Sequence, residues 1–226
     1  EQVLIAAGCN QSFYLTAMTL CQPGDAMLVV SPWYFNHRMT LDMLGVEPIA
    51  LPARAENSFV PDPQDARRLM TDRVRAILLI SPNNPTGAVY PEAVLQEFAD
   101  LAAEQGIALI VDEIYGLQNL GRWRSCNRQI MADRVAAFTA ALDAVESGYE
   151  IQSIGAYFAF LRHPFSASSL AIAPPLARDA GLLTLPDTMF GGAGTHLRVA
   201  FANVDGAEMP EVARRLRQFE RDHVVA

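Results

Sequence analysis

The stretch from Ala76 to Tyr115 constrains this chain more than any other. Ala76-Ile77-Leu78-Leu79-Ile80 is an apolar run of strand length, and it ends in Ser81-Pro82-Asn83-Asn84-Pro85-Thr86-Gly87, a cluster of turn formers. A helix-like segment follows from Pro91 to Gln105. Val94, Leu95, Phe98, Leu101 and Ala102 form its inner face, Pro91 suits the first helical position, and Gly106 stands just past the end. Ile107-Ala108-Leu109-Ile110-Val111 then delivers Asp112-Glu113-Ile114-Tyr115. Strand, polar loop, helix, strand and polar tip predict a βαβ unit, whose ligands gather at the carboxyl ends of parallel strands. Asn84, Asp112 and Tyr115 are therefore expected along one edge.

The rest of the chain extends this pattern. Val3 to Ala6 reads as a short strand running into Gly8-Cys9-Asn10-Gln11-Ser12 and a helix with Phe13, Leu15, Ala17, Met18 and Leu20. Unsatisfied N–H groups and the helix dipole make such a turn an anion pocket, although an ordinary strand-to-helix turn has the same residues. Ala26 to Val30 is a second buried strand, ending in the aromatic group Trp33-Tyr34-Phe35 and His37; Val46 to Leu51 is a third. A loop over Pro52 to Pro61 and a short helix from Pro63 to Met70 follow. Alternating β and α predicts a mostly parallel sheet wrapped by helices.

Past Tyr115 the pattern changes. Gly116 to Val145 reads as one long helix striped by Ile130, Met131, Val135, Phe138 and Leu142. A strand over Ile151 to Leu161, a turn at Arg162-His163-Pro164 and a helix-poor middle are expected next. Then come the loop Gly191 to Gly194, a strand Leu197 to Ala202 and an amphipathic helix Pro210 to His223 with Val212, Leu216 and Phe219 inside. Arg198 lies within that last strand. A guanidinium among apolar residues needs a partner, either a protein carboxylate or that of a ligand.

Composition narrows the function. With 51% hydrophobic and 19% charged residues in 226, the chain can bury one substantial core or two small ones. A net charge of −8 argues against nucleic acid or an anionic membrane as partner and leaves small molecules. No apolar run approaches bilayer length and Glu1-Gln2-Val3 does not begin a leader, so a soluble, cytoplasmic protein is expected. Cys9, Cys21 and Cys126 are scattered, which favours reduced buried thiols over disulfides or a zinc site, and no metal is expected. All 17 basic residues are arginine; the sequence contains no lysine.

Asn83-Asn84-Pro85-Thr86-Gly87 followed by Asp112-Glu113-Ile114-Tyr115 resembles the signature pair of the class I/II aminotransferases, fold-type I enzymes that use pyridoxal 5'-phosphate (PLP). The resemblance implies an incomplete large α/β domain over residues 1–115 with the mostly parallel sheet of that family. A linking helix and a small α+β domain are implied over 116–226. It implies that Asp112 pairs with the pyridine nitrogen of the cofactor, that Tyr115 and Asn84 bond its phenolic oxygen, and that Tyr34 stacks on the ring. It further implies that Cys9 and Asn10 hold the phosphate through backbone donors, that His37 supports Asp112, and that Arg198 grips the substrate carboxylate. The substrates implied are an α-amino acid and a 2-oxo acid, and the assembly a homodimer.

One departure is large. The family holds the cofactor covalently on a lysine, which also moves the proton at the substrate carbon. This sequence passes from Tyr115 directly to residues resembling a helix far downstream of that lysine. The expectation is a truncated or internally deleted aminotransferase, the alternative a noncatalytic PLP-binding protein or an inert fragment. The intact mass of the purified protein separates them. A mass above the 24.7 kDa of this sequence is expected, with the lysine-bearing segment between Tyr115 and Gly116; 24.7 kDa would make the lysine-free chain real.

Overall fold

The computed structural model describes residues 3–114 and 121–223, the side chains of 121–127 excepted. The chain divides into two compact units. Residues 1–81 and 89–114 form one; residues 82–88 and 115–226 form the other.

The first unit is a parallel α/β layer. Helix α1 (Cys9–Leu20) precedes strand β1 (Ala26–Ser31), α2 (Phe35–Leu44), β2 (Glu47–Pro52), α3 (Pro63–Leu69), β3 (Val74–Ile80), α4 (Glu92–Gln105) and β4 (Ala108–Asp112). The sheet order is β2-β1-β3-β4, with every pair parallel. Met27, Leu28, Val29, Ile77, Leu78 and Leu79 are at most 1% exposed, so β1 and β3 are covered on both faces. That is why they read as unbroken apolar runs rather than as alternating strands. Phe13 and Ala17 of α1 and Leu41 of α2 pack on one face with Met27, Val29 and Leu78.

The ends of the helices follow local chemistry. Asp62 caps α3 by accepting from the Gln64 N–H at 2.8 Å, with Pro63 at the first helical position. Gly45 and Gly106 close α2 and α4 in the left-handed conformation. Pro91 takes the N-cap of α4, one residue earlier than the expected position.

Two expectations for this unit need correction. Val3, Leu4 and Ile5 form no strand and are 78–89% exposed, because no strand among the described residues pairs with them. Helix α2 was not anticipated. Its aromatic start hid a segment whose only terminal signal is Gly45.

The second unit is an antiparallel sheet packed with helices. It contains α5 (Gly121–Ala144), β5 (Glu150–Gly155), β6 (Phe158–Arg162), α6 (Ser169–Ala180), β7 (Leu185–Pro186), β8 (His196–Ala200) and α7 (Met209–His223). The sheet order is β5-β6-β8-β7, all antiparallel. Phe138, Leu161, Leu176, Leu197, Phe201, Leu216 and Phe219 build the core.

The expected single strand Ile151 to Leu161 is a hairpin. Gly155 pairs with Phe158 across the two-residue turn Ala156-Tyr157, and Ala156 takes φ +49°. Without an Asn-Gly or Asp-Gly pair at the turn, its sequence carries no hairpin signal. The expected helix-poor middle contains α6, despite Pro174 and Pro175 inside it. The Ser168 side chain caps its start, Gly181 closes its end, and Ile172, Ala173 and Leu176 bury one face while Pro174 stays exposed. Caps and burial outweigh the two lost N–H donors. Ile130, expected on the buried stripe of α5, is 40% exposed.

Gly87, at φ +75°, lies where a Cβ would stand 2.6 Å from the Gly155 nitrogen and 2.8 Å from the Phe158 oxygen. Both neighbours are backbone and cannot turn aside. Gly87→Ala is expected to lower stability by about 2 kcal/mol through strain and overlap together. Urea unfolding of the chain checks this, and an unchanged midpoint would contradict the packing described.

Candidate functional site

The connections leaving β1 and β3 run to opposite sides, β1 to β2 and β3 to β4, and the carboxyl ends at such a switch point are where parallel sheets bind ligands. Asp112 is the last residue of β4, beside the end of β3, where its carbonyl accepts from the Ser81 N–H at 3.1 Å. Its side chain is 8% exposed, and a carboxylate so deep must be paired. His37, at the start of α2 just after β1, places Nε2 3.3 Å from Asp112 Oδ2. The Ile114 N–H donates to Oδ1 at 3.0 Å, and the Cys9 thiol lies 3.3 Å from Oδ2.

These contacts decide the charge. Burial works to raise the Asp112 carboxyl, but His37, the Ile114 N–H and the Cys9 thiol together hold it below the usual carboxylate range. Asp112 is ionised at neutral pH. The Cys9 thiol is pushed up to about 11, by burial first and then by the Asp112 charge, and stays protonated.

His37 is 1% exposed, with its ring 4.3 Å from the Phe13 ring and 5.2 Å, edge-on, from Tyr34. The Tyr34 hydroxyl accepts from Asn36 Nδ2 at 2.7 Å. Above Asp112 stands the start of α1, where Gly8 at φ +92° turns the chain into the helix. The Ser12 N–H bonds the Gly8 carbonyl, so the preceding N–H groups of Cys9, Asn10 and Gln11 have no acceptor in the helix. No side chain caps them. Cys9, Asn10, Tyr34, His37 and Asp112 all belong to the first unit.

Asn84 and Arg198 belong to the second. The Asn83 side chain closes the loop by accepting from the Thr86 N–H at 3.2 Å and the Thr86 hydroxyl at 2.8 Å. Asn84, 4% exposed, accepts from Arg198 Nη1 at 2.9 Å. The Arg198 guanidinium lies over the rings of Phe158 at 4.5 Å and Phe190 at 5.1 Å. The pairing of Asn84 with Arg198 escaped sequence reasoning, since 114 residues separate them. Tyr115 lies outside the described residues, as does the side chain of Cys126. Cys9 and Cys21 are free thiols, half-buried rather than buried as expected.

The second unit also holds a deeply buried carboxylate. Asp187, 1% exposed, accepts from the Ser169 hydroxyl at 2.5 Å and from the N–H groups of Gly194 and Thr195 at 3.1 and 3.2 Å. It organises the glycine loop ahead of β8, the strand that carries Arg198.

The Asp112 charge acts on the Cys9 thiol with a definite sign. Asp112→Asn removes that charge, lowers the thiol pKa and raises the thiolate fraction. Alkylation of Cys9 by iodoacetamide at pH 8, followed by mass spectrometry, is expected to be faster in the variant. An equal or slower rate would place Asp112 away from Cys9.

The model of the family described as aminotransferase class I and II matches residues 1–122. The probable aspartate/prephenate aminotransferase of Thermus aquaticus is 36% identical over 115 residues, 51% of this chain and 30% of that protein. The enzyme so named in Aquifex aeolicus is 30% identical over 151 residues, 67% of this chain and 38% of its own length. The chain thus spans about a third of the length of these curated relatives. Among solved structures, the aromatic aminotransferase of Pyrococcus horikoshii superposes with a TM-score of 0.85 at 18% identity, covering 95% of this chain and 78% of that one. The aspartate aminotransferase of Thermus thermophilus with maleate gives 0.83 at 22% identity, covering 92% and 73%. These two show the fold. With more than half of the sequence matched by the family model, this chain belongs to the class I and II aminotransferases.

Proposed function

We propose that this chain carries the cofactor-binding residues of a PLP-dependent aminotransferase, one that moves an amino group between an α-amino acid and a 2-oxo acid. The observation that carries the reading is the ionised Asp112 at the carboxyl edge of the sheet, braced by His37 beside an uncapped helix N-terminus. That donor set fits the cofactor. An anionic carboxylate suits a protonated pyridine nitrogen, and the open N–H groups of Cys9 and Asn10 suit a phosphate.

When bound, the cofactor supplies an electron sink for the charge that develops at the substrate α-carbon. Asp112 would keep the pyridine nitrogen protonated, and His37 would hold Asp112 in place. Tyr34 would cover the ring, with Asn84 and Tyr115 bonding its phenolic oxygen. Arg198, whose guanidinium lies over the rings of Phe158 and Phe190, would present it to the substrate carboxylate. A homodimer in the cytoplasm is part of the same reading. No helix among the described residues is long and apolar enough to cross a membrane.

The proton at the α-carbon needs a base that this sequence, without lysine, does not supply. We assign that base to a segment of the parent protein between Tyr115 and Gly116. The outer edge of β4, where Val111 is 38% exposed, favours this reading because a parallel sheet accepts a further strand at such an edge. A noncatalytic PLP-binding protein is the second reading, favoured by the same missing lysine.

Titration of PLP into the purified chain, followed by cofactor absorbance, tests the assignment. Saturable binding is expected, with competition by inorganic phosphate. Asp112→Ala is expected to weaken binding about 10- to 100-fold, the equivalent of one charge-assisted hydrogen bond. Equal binding by the variant, or none by the natural chain, would overturn it.

A further inference from the structure

We propose that Cys9, His37 and Asp112 form a site for a zinc-like divalent cation. One ligand atom of each lies within 4.8 Å of the other two. Cys9 Sγ and His37 Nε2 each stand 3.3 Å from Asp112 Oδ2. Neighbouring ligand atoms of a tetrahedral zinc centre, with bonds of about 2.0–2.3 Å, stand about 3.3–3.7 Å apart. Two of the three edges therefore already have that length, and the third, within 4.8 Å, closes with a movement of at most about 1.5 Å.

The chemistry of the three donors selects the ion. A thiolate sulfur, an imidazole nitrogen and a carboxylate oxygen together suit Zn²⁺ or Co²⁺, whereas Mg²⁺ and Ca²⁺ require oxygen shells. Thiolate and carboxylate balance a double positive charge. The imidazole is held for the role: His37 is 1% exposed, its ring lies against Phe13 and Tyr34, and Asp112 is the group that its Nε2 faces. Three protein ligands leave a fourth position for water or an exchangeable small molecule, the pattern of an open rather than a structural zinc site.

This inference rests on the geometry of the three side chains and not on cofactor binding, but the two readings meet at Asp112. One carboxylate cannot serve a pyridine nitrogen and a cation together, so cation and PLP exclude one another.

The test uses the full chain, reduced and free of cofactor, titrated with Co²⁺ and Zn²⁺. One equivalent of Co²⁺ is expected to bind with a thiolate-to-metal absorption band in the near ultraviolet, which Zn²⁺ displaces and Mg²⁺ does not. Cys9→Ser, with its fold verified by circular dichroism, is expected to lose the band. Its Zn²⁺ affinity should fall at least about tenfold, the loss expected even from changes outside the ligand shell. A band that survives in Cys9→Ser, or no stoichiometric binding by the natural chain, overturns the site. PLP titrated separately distinguishes the readings. PLP binding without metal binding overturns the cation site alone, and metal binding without PLP binding supports it while overturning the cofactor assignment. Where both bind, Zn²⁺ is expected to weaken PLP in proportion to occupancy, and indifference would place the metal elsewhere.

Discussion

A buried carboxylate must be answered by donors, and Asp112 in the first unit and Asp187 in the second are answered in different ways. Asp187 is met by a hydroxyl and two backbone N–H groups, with His196 Nδ1 3.7 Å away. Asp112 is met by one backbone N–H, a thiol and an imidazole. Both are held below the usual carboxylate range against the opposing pull of burial. The two differ in what answers them. Backbone N–H groups bound into a loop cannot leave without unfolding it, so Asp187 acts as a fixed post for the glycine loop. A thiol and an imidazole ring can exchange partners, so Asp112 keeps its charge and remains open to a ligand.

The parallel sheet makes this arrangement possible. A strand buried on both faces leaves little but its ends for polar groups, and polar residues collect just beyond the buried run Ala76–Ile80. A charge at such an edge is half-shielded from water, which strengthens its pull on a cofactor nitrogen or a cation alike. Arg198 shows the same economy in the other unit. Its guanidinium donates to the Asn84 amide oxygen and lies over the rings of Phe158 and Phe190, contacts that fix its orientation.

Much of this was legible in the chain itself. The runs at 26–30 and 76–80 mark the two central strands because burial on both faces leaves no room for polar alternation, and the runs at 46–51 and 107–111 mark the two partly exposed edge strands. Asp62, Pro63, Gly45 and Gly106 mark helix ends because their backbone or side-chain chemistry is local. What failed was equally local in cause. The hairpin at Ala156-Tyr157 has no turn formers at its tip, and α6 contains two prolines whose cost is met by burial contributed from elsewhere. Val3 to Ile5 has strand composition, but strand formation requires a neighbour.

The sequence alone determined the class of fold, the family resemblance and the identity of the residues at the sheet edge, because periodicity, caps and short motifs are properties of neighbours along the chain. It also shows that these 226 residues contain no lysine. Only the tertiary structure decided what those residues face. Cys9 and Asp112 are separated by 103 positions, and nothing in their spacing predicts a thiol 3.3 Å from a carboxylate. Protonation, pairing and ligand geometry depend on distances through space, and those distances exist only once the sheet and its helices have closed around the site.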